Sequence, residues 1–325
     1  MAKEIFAADI AENFTKTVET TFLLREITKR ETQENKKSYY DILLQDSSGA
    51  LWGTIWEELM EESHEGLKGR VVSVKALVTK EAQGAFRLVV RRMEAADDYQ
   101  MADYINGLTK EESARFTEIL WKYIDSIKSQ GYQYLVSSIY RNIPELDQIP
   151  ATLKKHHNFS GGFLVCTTSV TCLANYMLHS LSRYNVNPSY NIPYQADLLT
   201  AGALLYAIGT VKKYTPSPDM HRIPESIPLS QYELSIQYIQ DAACRYREVE
   251  IGTEELNLLL HMVGCVYENT ERKPMLREAL ILKEAVQLHE QVALLEHFIH
   301  ENQGKEGMIY DKQLGNYIYI PREGA

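Results

Sequence analysis

Cysteine is scarce in this 325-residue chain. The four present, Cys166, Cys172, Cys244 and Cys265, form neither a CxxC pair nor a Cys/His spacing of the zinc type. That pattern fits reduced thiols packed as small apolar residues in a cytosolic protein. Long apolar runs are missing too: Leu198 to Gly209 covers about half of the roughly 20 residues a bilayer crossing needs, and Leu258 to Val266 is interrupted by His261. No membrane span is expected. The opening stretch MAKEIFAADIAENF has no basic start followed by an apolar core, so it does not read as a signal peptide, and a cytoplasmic location is expected. Nucleotide-cradling loops (GxxxxGK[ST], GxGxxG) and the serine-hydrolase elbow GxSxG are absent. A net charge of -10 argues against a chain coated in positive charge for indiscriminate nucleic-acid binding, while leaving room for a local basic groove among the 34 Lys and Arg.

What is present divides in two. From about Phe14 to Asp98, five short segments rich in β-branched and aromatic residues alternate with polar turns: Thr17 to Glu26, Ser38 to Gln45, Leu51 to Trp56, Val71 to Thr79 and Phe86 to Arg92. Between the third and fourth, WEELMEESHEGLKG has helical composition. Five strands with one inserted helix suggest an OB-fold barrel, with an SH3-like barrel as the rival. From about Tyr99 the pattern becomes helical. Helices are expected at Lys110 to Ser129, Ser169 to Tyr184, Gln195 to Ile208, Gln231 to Arg247, Glu254 to Tyr267 and Arg277 to Glu301. The stretches Pro188 to Pro193 and Tyr214 to Pro228 read as long connections. The expected class is therefore an α+β multidomain protein: an OB-fold over 1–98, a helical linker over 99–150 and an all-α domain over 151–325.

Within the barrel, alternation puts Tyr40, Ile42 and Leu44 inside, leaving Tyr39 outside with Asp41. On the next strand Leu51, Gly53 and Ile55 alternate inward, leaving Trp52 and Trp56 on Tyr39's side. Lys29, Arg30, Lys36 and Lys37 fall between the first two strands, while Arg87 and Arg91 share one face of the last strand and Arg92 takes the other. Aromatics that stack on bases, flanked by cations that follow phosphates, point to single-stranded RNA or DNA as partner, with Lys36, Lys37, Tyr39, Trp52, Trp56, Arg87 and Arg91 as the binding set. The same tryptophans also suit a barrel core or a protein contact.

Two helical-region segments carry a family resemblance. Lys154 to Leu173 reads KKHHNFSGGFLVCTTSVTCL, and Asp197 to Val211 reads DLLTAGALLYAIGTV. They resemble HHxxxGGLxxHTxSV and DLLxxGALLHDIGK, signatures of the HD domain in YhaM-type 3'-5' exoribonucleases, and the strand pattern FLLREITKRETQENKKSYYDILLQDSSGALWGTIW resembles that family's OB domain. The resemblance implies an HD-type helical domain and metal-dependent phosphodiester hydrolysis, in which imidazoles and a carboxylate hold divalent cations that activate water. Yet the ligand positions it assigns hold Cys166, Tyr206 and Ala207, and the lysine after the dyad is Thr210. Looser matching places Gln231, GCVYEN (Gly264 to Asn269) and KEAV (Lys283 to Val286) at further ligand segments. A non-catalytic relative without cofactor is the leading expectation, with self-association implied by the resemblance.

Four alternatives stay open. His156 and His157, with Lys154 and Lys155, either support the turn into Gly161-Gly162 or keep a phosphate-facing role. An active nuclease would draw a divalent metal such as manganese onto His156, His157, His261 and His289; His297 and His300 near Glu296 form another pairing at i, i+3. Cys166 as a nucleophile would need a positioned base or positive charge. A protein of assembly, using Trp52, Trp56 and Tyr39 for protein contacts, is the fourth.

Overall fold

The computed structural model describes residues 3–321 apart from 33–35, 62–63, 65, 82–83, 101–102, 154–156, 185–191, 219, 268–272, 303 and 313. The chain forms two compact units, Met1–Thr109 with Pro216–Met220, and Lys110–Thr215 with His221–Ala325. No helix among the described residues is long and apolar enough to cross a membrane.

Five strands build the first unit: β1 (Thr17–Glu31), β2 (Ser38–Asp46), β3 (Gly49–Trp56), β4 (Val71–Lys80) and β5 (Phe86–Ala95). β1 is long enough to serve two neighbours. Its first half pairs with β4 and its second with β2, and an irregularity between Leu24 and Glu26 bends it from one to the other. β3 and β5 pair in parallel from Gly53–Leu88 to Ile55–Val90, which closes the order β1-β2-β3-β5-β4 into a barrel. This order is that of the OB-fold, and it sets the SH3-like rival aside. Period-two alternation drives Phe22, Leu24, Ile42, Leu44, Ile55, Val74, Leu88 and Val90 into one core. Gly53 has a steric cause: a Cβ there would come within 2.9 Å of Ile42 Cγ1. Where a helix was expected after β3, the described residues hold a 3-10 turn at Glu57–Leu59 and a helical residue at His64, with 62, 63 and 65 outside the described residues.

Next to this core lies a buried ion pair. Lys3 Nζ is 2.9 Å from Asp46 Oδ2, with both side chains almost fully removed from water, and it also donates to Thr21 O. Asp46 accepts from Ala7 N at 2.7 Å and from Ser48 Oγ at 2.6 Å, while the Tyr104 hydroxyl meets Thr21 Oγ1 at 2.5 Å. Burial lowers the Lys3 pKa, and the Asp46 carboxylate opposes that shift.

The second unit contains α1 (Lys110–Ser126), α2 (Gln130–Arg141), α3 (Gly162–Arg183), α4 (Ala196–Leu205), α5 (Thr210–Lys213), α6 (Gln231–Arg245), α7 (Thr253–Cys265) and α8 (Arg277–Glu301). The expected helix Lys110 to Ser129 stops at Ser126, and Ser129 instead caps α2 by accepting from Tyr132 N. α2 itself was not expected, because QGYQYLVSSIYR is rich in β-branched and aromatic residues. Burial of Tyr132, Leu135, Val136, Ile139 and Tyr140 overrides that local preference. α3 begins seven residues earlier than expected, after Gly161 at φ 85°. Two further strands, β6 (Gly307–Asp311) and β7 (Asn316–Ile320), form an unforeseen hairpin. Of the stretch 99–150 expected to link the domains, residues from 110 onward group with the helical unit.

Replacing Asp46 with alanine leaves Lys3 buried without its counter-charge and is expected to cost about 3–5 kcal/mol of barrel stability, read as a lowered urea midpoint in Trp52 and Trp56 fluorescence.

Candidate functional site

The ligand positions that the sequence singled out in four separate segments meet in the helical unit. α3 buries Phe163, Cys166, Val170 and Ala174 at i, i+3/i+4 spacing. α4 is apolar all round and buried, so its C-terminal end is fixed in the core with Tyr206 at its cap. The chain then turns tightly through Gly209, where a Cβ would come within 2.6 Å of Ser235 N; only glycine fits. α6 starts on a Ser230/Glu233 capping box, and Gln231 Nε2 donates to Ala207 O at 3.0 Å and Thr210 Oγ1 at 2.5 Å. Cys166, Tyr206, Ala207, Thr210 and Gln231 thus line one cavity of about 640 Å³.

A thiol and two phenols form one part of its wall. Cys166 Sγ lies 3.2 Å from the Tyr206 hydroxyl, and Tyr206 O accepts from Ser235 Oγ at 3.1 Å and from the Tyr267 hydroxyl at 3.0 Å. Burial pushes the Cys166 thiol up to about 12 and keeps the Tyr206 and Tyr267 phenols far above their ordinary range. At neutral pH the thiol is protonated, which removes the nucleophile weighed for Cys166.

Each histidine has a definite place or lies outside the described residues. His157, at φ 55°, stacks on His289 with ring centroids 5.0 Å apart, and its carbonyl accepts from Ala151 N at 3.2 Å. That is the turn-supporting role, because a Cβ on Gly162 would run into the same carbonyl. Lys154, Lys155 and His156 lie outside the described residues. His289 Nδ1 is 4.0 Å from Cys166 Sγ, and burial lowers its pKa against the opposing charge of Glu296. His261 Nε2 accepts from Met275 N at 3.0 Å, while His297 and His300 are exposed on α8.

A divalent metal does not fit the described donors. No three His, Cys, Asp or Glu side chains among the described residues are grouped to hold one. At the implied positions stand a protonated thiol, a neutral phenol, a methyl group and an amide already bonded to Ala207 and Thr210.

Tyr267 brings the GCVYEN segment to the cavity wall, while sequence reading missed Lys213, Tyr214, Arg222 and Glu290 there. Tyr214 and Arg222 belong to a stretch read as a connection, yet they form an antiparallel bridge. Glu290 was legible in principle: it lies four residues beyond the buried Val286, so the pocket face of α8 reaches His289 and Glu290 rather than KEAV.

On the barrel, the register pairs Tyr39 with Trp56, Asp41 with Thr54 and Leu43 with Trp52. The Tyr39 and Trp56 rings meet edge-on at 6.0 Å, and Trp52 and Trp56 are 40% and 37% exposed. Tyr39, Trp52 and Trp56 therefore share the outer face, as alternation predicted. Arg87 is tied down on this face: it donates to Thr54 Oγ1 at 2.7 Å, to Glu81 Oε1 at 2.9 Å and to Asp41. Asp41 also pairs with Arg30 at 2.7 Å. Lys36, Lys37 and Arg91 are exposed.

No family model matches the chain. A curated 3'-5' exoribonuclease YhaM from Oceanobacillus iheyensis is 25% identical over 269 residues, covering 80% of each chain. The chain is similar to YhaM-type exoribonucleases over most of its length. Solved structures include the OB domain of Ta0387 from Thermoplasma acidophilum (19% identity, 26% of this chain and 78% of that one, TM-score 0.21). Another is the second OB-fold domain of replication protein A from Methanococcus maripaludis (20% identity, 27% and 89%, TM-score 0.20). The YhaM alignment covers far more than the barrel, so the likeness extends into the helical unit.

Because folding makes His289 harder to protonate, the unfolded chain binds the extra proton first. Its contribution to stability is present above the ordinary histidine pKa of about 6.5 and is lost as pH falls below it. The urea midpoint is expected to drop between pH 7.5 and 5.5, and to drop less in His289→Gln.

Proposed function

We propose that this chain is a non-catalytic relative of the exoribonucleases that binds single-stranded nucleic acid on the outer face of β2 and β3. The likeness to a YhaM exoribonuclease supports a role in nucleic-acid processing. The observation that carries the finer reading is the half-buried Tyr39 ring against the exposed Trp56, with exposed Trp52 on the same face, the surface on which OB-folds accept oligonucleotides. Flat rings stack on bases of any sequence, at about 1–3 kcal/mol per base. Lys36, Lys37 and Arg91 supply phosphate contacts around them. Arg87 serves instead to anchor the sheet, since its charge is matched by Asp41 and Glu81. With few unmatched cations, binding is modest and falls with salt.

The non-catalytic half rests on donor chemistry. Phosphodiester hydrolysis of this kind needs ligands that hold a cation and polarise a water, and Cys166 and Tyr206 at two of the implied positions are kept neutral by burial.

Fluorescence titration with an oligouridylate is expected to show binding that weakens as salt rises, with Trp56→Ala lowering affinity about 5- to 150-fold. Absence of binding at low salt sinks the nucleic-acid reading in favour of a protein-assembly role. Incubation of a 3'-hydroxyl RNA with the protein and manganese is expected to leave the strand at full length; stepwise shortening abolished by EDTA overturns the non-catalytic reading.

A further inference from the structure

The outer face of the barrel is laid out in cross-strand rows. Opposite residues of paired antiparallel strands share a face, so the register sets Arg30, Tyr39 and Trp56 in one row and Thr28, Asp41 and Thr54 in the next. Asp41 is buried, and each of its oxygens holds an arginine. Oδ2 lies 2.7 Å from Arg30 Nε, and Oδ1 accepts from Arg87 Nη2. Arg87 is in turn fixed on Thr54 Oγ1 at 2.7 Å and Glu81 Oε1 at 2.9 Å. A connected series, Glu81 to Arg87 to Asp41 to Arg30, therefore crosses the sheet and ends beside the Tyr39 ring. Its last member is held less completely than the others. The Arg30 side chain is 56% exposed against 20% for Arg87, and Asp41 meets it at Nε, which leaves the Nη1/Nη2 end of the fork for a ligand.

We propose that Arg30 is a specificity-determining residue that selects guanine in a strand stacked on Tyr39 and Trp56, with Asp41 as the residue that positions it. The proposal rests on the reading of this face as a single-strand surface and adds the base preferred there. A guanidinium only donates, so its fork fits a base edge with two adjacent acceptors. Guanine presents O6 and N7 in that way, whereas adenine sets an amino donor beside its N7 and uracil sets its N3 hydrogen between two carbonyls. Cytosine has one such edge, O2 with N3, but the two rings of guanine cover more of an aromatic platform. Glu81, Arg87, Asp41 and Arg30 together are two carboxylates and two guanidiniums. Their charges cancel, which suits a neutral base edge better than a phosphate. An arginine already held by a carboxylate also gives up less side-chain freedom when it binds.

The test is titration of the full chain in EDTA, read by tryptophan fluorescence, with uridine heptamers whose central base is guanine, adenine, cytosine, uracil or 7-deazaguanine. The guanine strand is expected to bind about 5- to 150-fold more tightly than the adenine, cytosine and uracil strands. The 7-deazaguanine strand, which lacks the N7 acceptor, falls to the level of the adenine strand. Arg30→Met removes the preference and leaves the salt dependence of uridine heptamer binding unchanged, because a base contact releases no counterions. Asp41→Asn keeps the Arg30 charge but not its support, so it lowers the guanine preference and again spares the salt dependence. If either variant does not fold, the comparison of guanine with 7-deazaguanine on the unaltered protein decides the matter. Equal affinity for the four bases, a preference for cytosine, or indifference to N7 overturns the proposal. So does an Arg30→Met variant that weakens every strand alike with a shallower salt dependence, the mark of a phosphate contact. Failure of every strand to bind is failure of the barrel reading and takes this one with it, whereas binding without base preference is failure of this one alone.

Discussion

Tyr206 is buried where α3, α4, α6 and the segment after α7 converge, and the helical unit is organised around how its polar atoms are satisfied. Its carbonyl receives hydrogens from Ser235 and Tyr267, and its hydroxyl meets the Cys166 thiol. A phenol and a thiol removed from water must satisfy each other or incur the cost of an unmade hydrogen bond. Their contact pairs the two groups at positions to which the resemblance assigns metal ligands. Both side chains line the neighbouring cavity, to which they present a protonated thiol and a protonated phenol.

The barrel works under a different constraint. A strand serving two neighbours must bend, and a closed barrel needs a parallel contact between β3 and β5. The close approach of Ile42 to Gly53 forbids a side chain at that point, and the buried Lys3–Asp46 pair lies beside the same core. With the inside fixed, the outer face follows from alternation alone. Asp41, a buried acid of β2, pairs with Arg30 and Arg87 and so separates these anchored arginines from the exposed cations.

Much of this was legible in the residues. The five strands appear within a few residues of their expected bounds, since the β-period is two and Tyr40, Ile42 and Leu44 can point only one way relative to Tyr39. Trp52 and Trp56 followed from the same rule. The helix α2 was not legible, because its aromatic and β-branched content favours a strand until packing decides otherwise. The hairpin of β6 and β7 is equally local in composition and went unread. Arg87 looked like a phosphate contact, since a sequence shows its charge and not the carboxylates facing it.

The sequence by itself determined the order of the barrel strands, the inner and outer faces of the barrel, and which residue types stand at the positions that the resemblance assigns to metal ligands. These depend on periodicity and on side-chain identity, both local properties. Only the tertiary structure decided that Cys166, Tyr206, Ala207 and Gln231 share one wall, that the thiol there stays protonated, and that Lys213, Arg222 and Glu290 join them. Those facts depend on which distant segments meet and on how much water is left between them, and both are set by packing across many residues of chain.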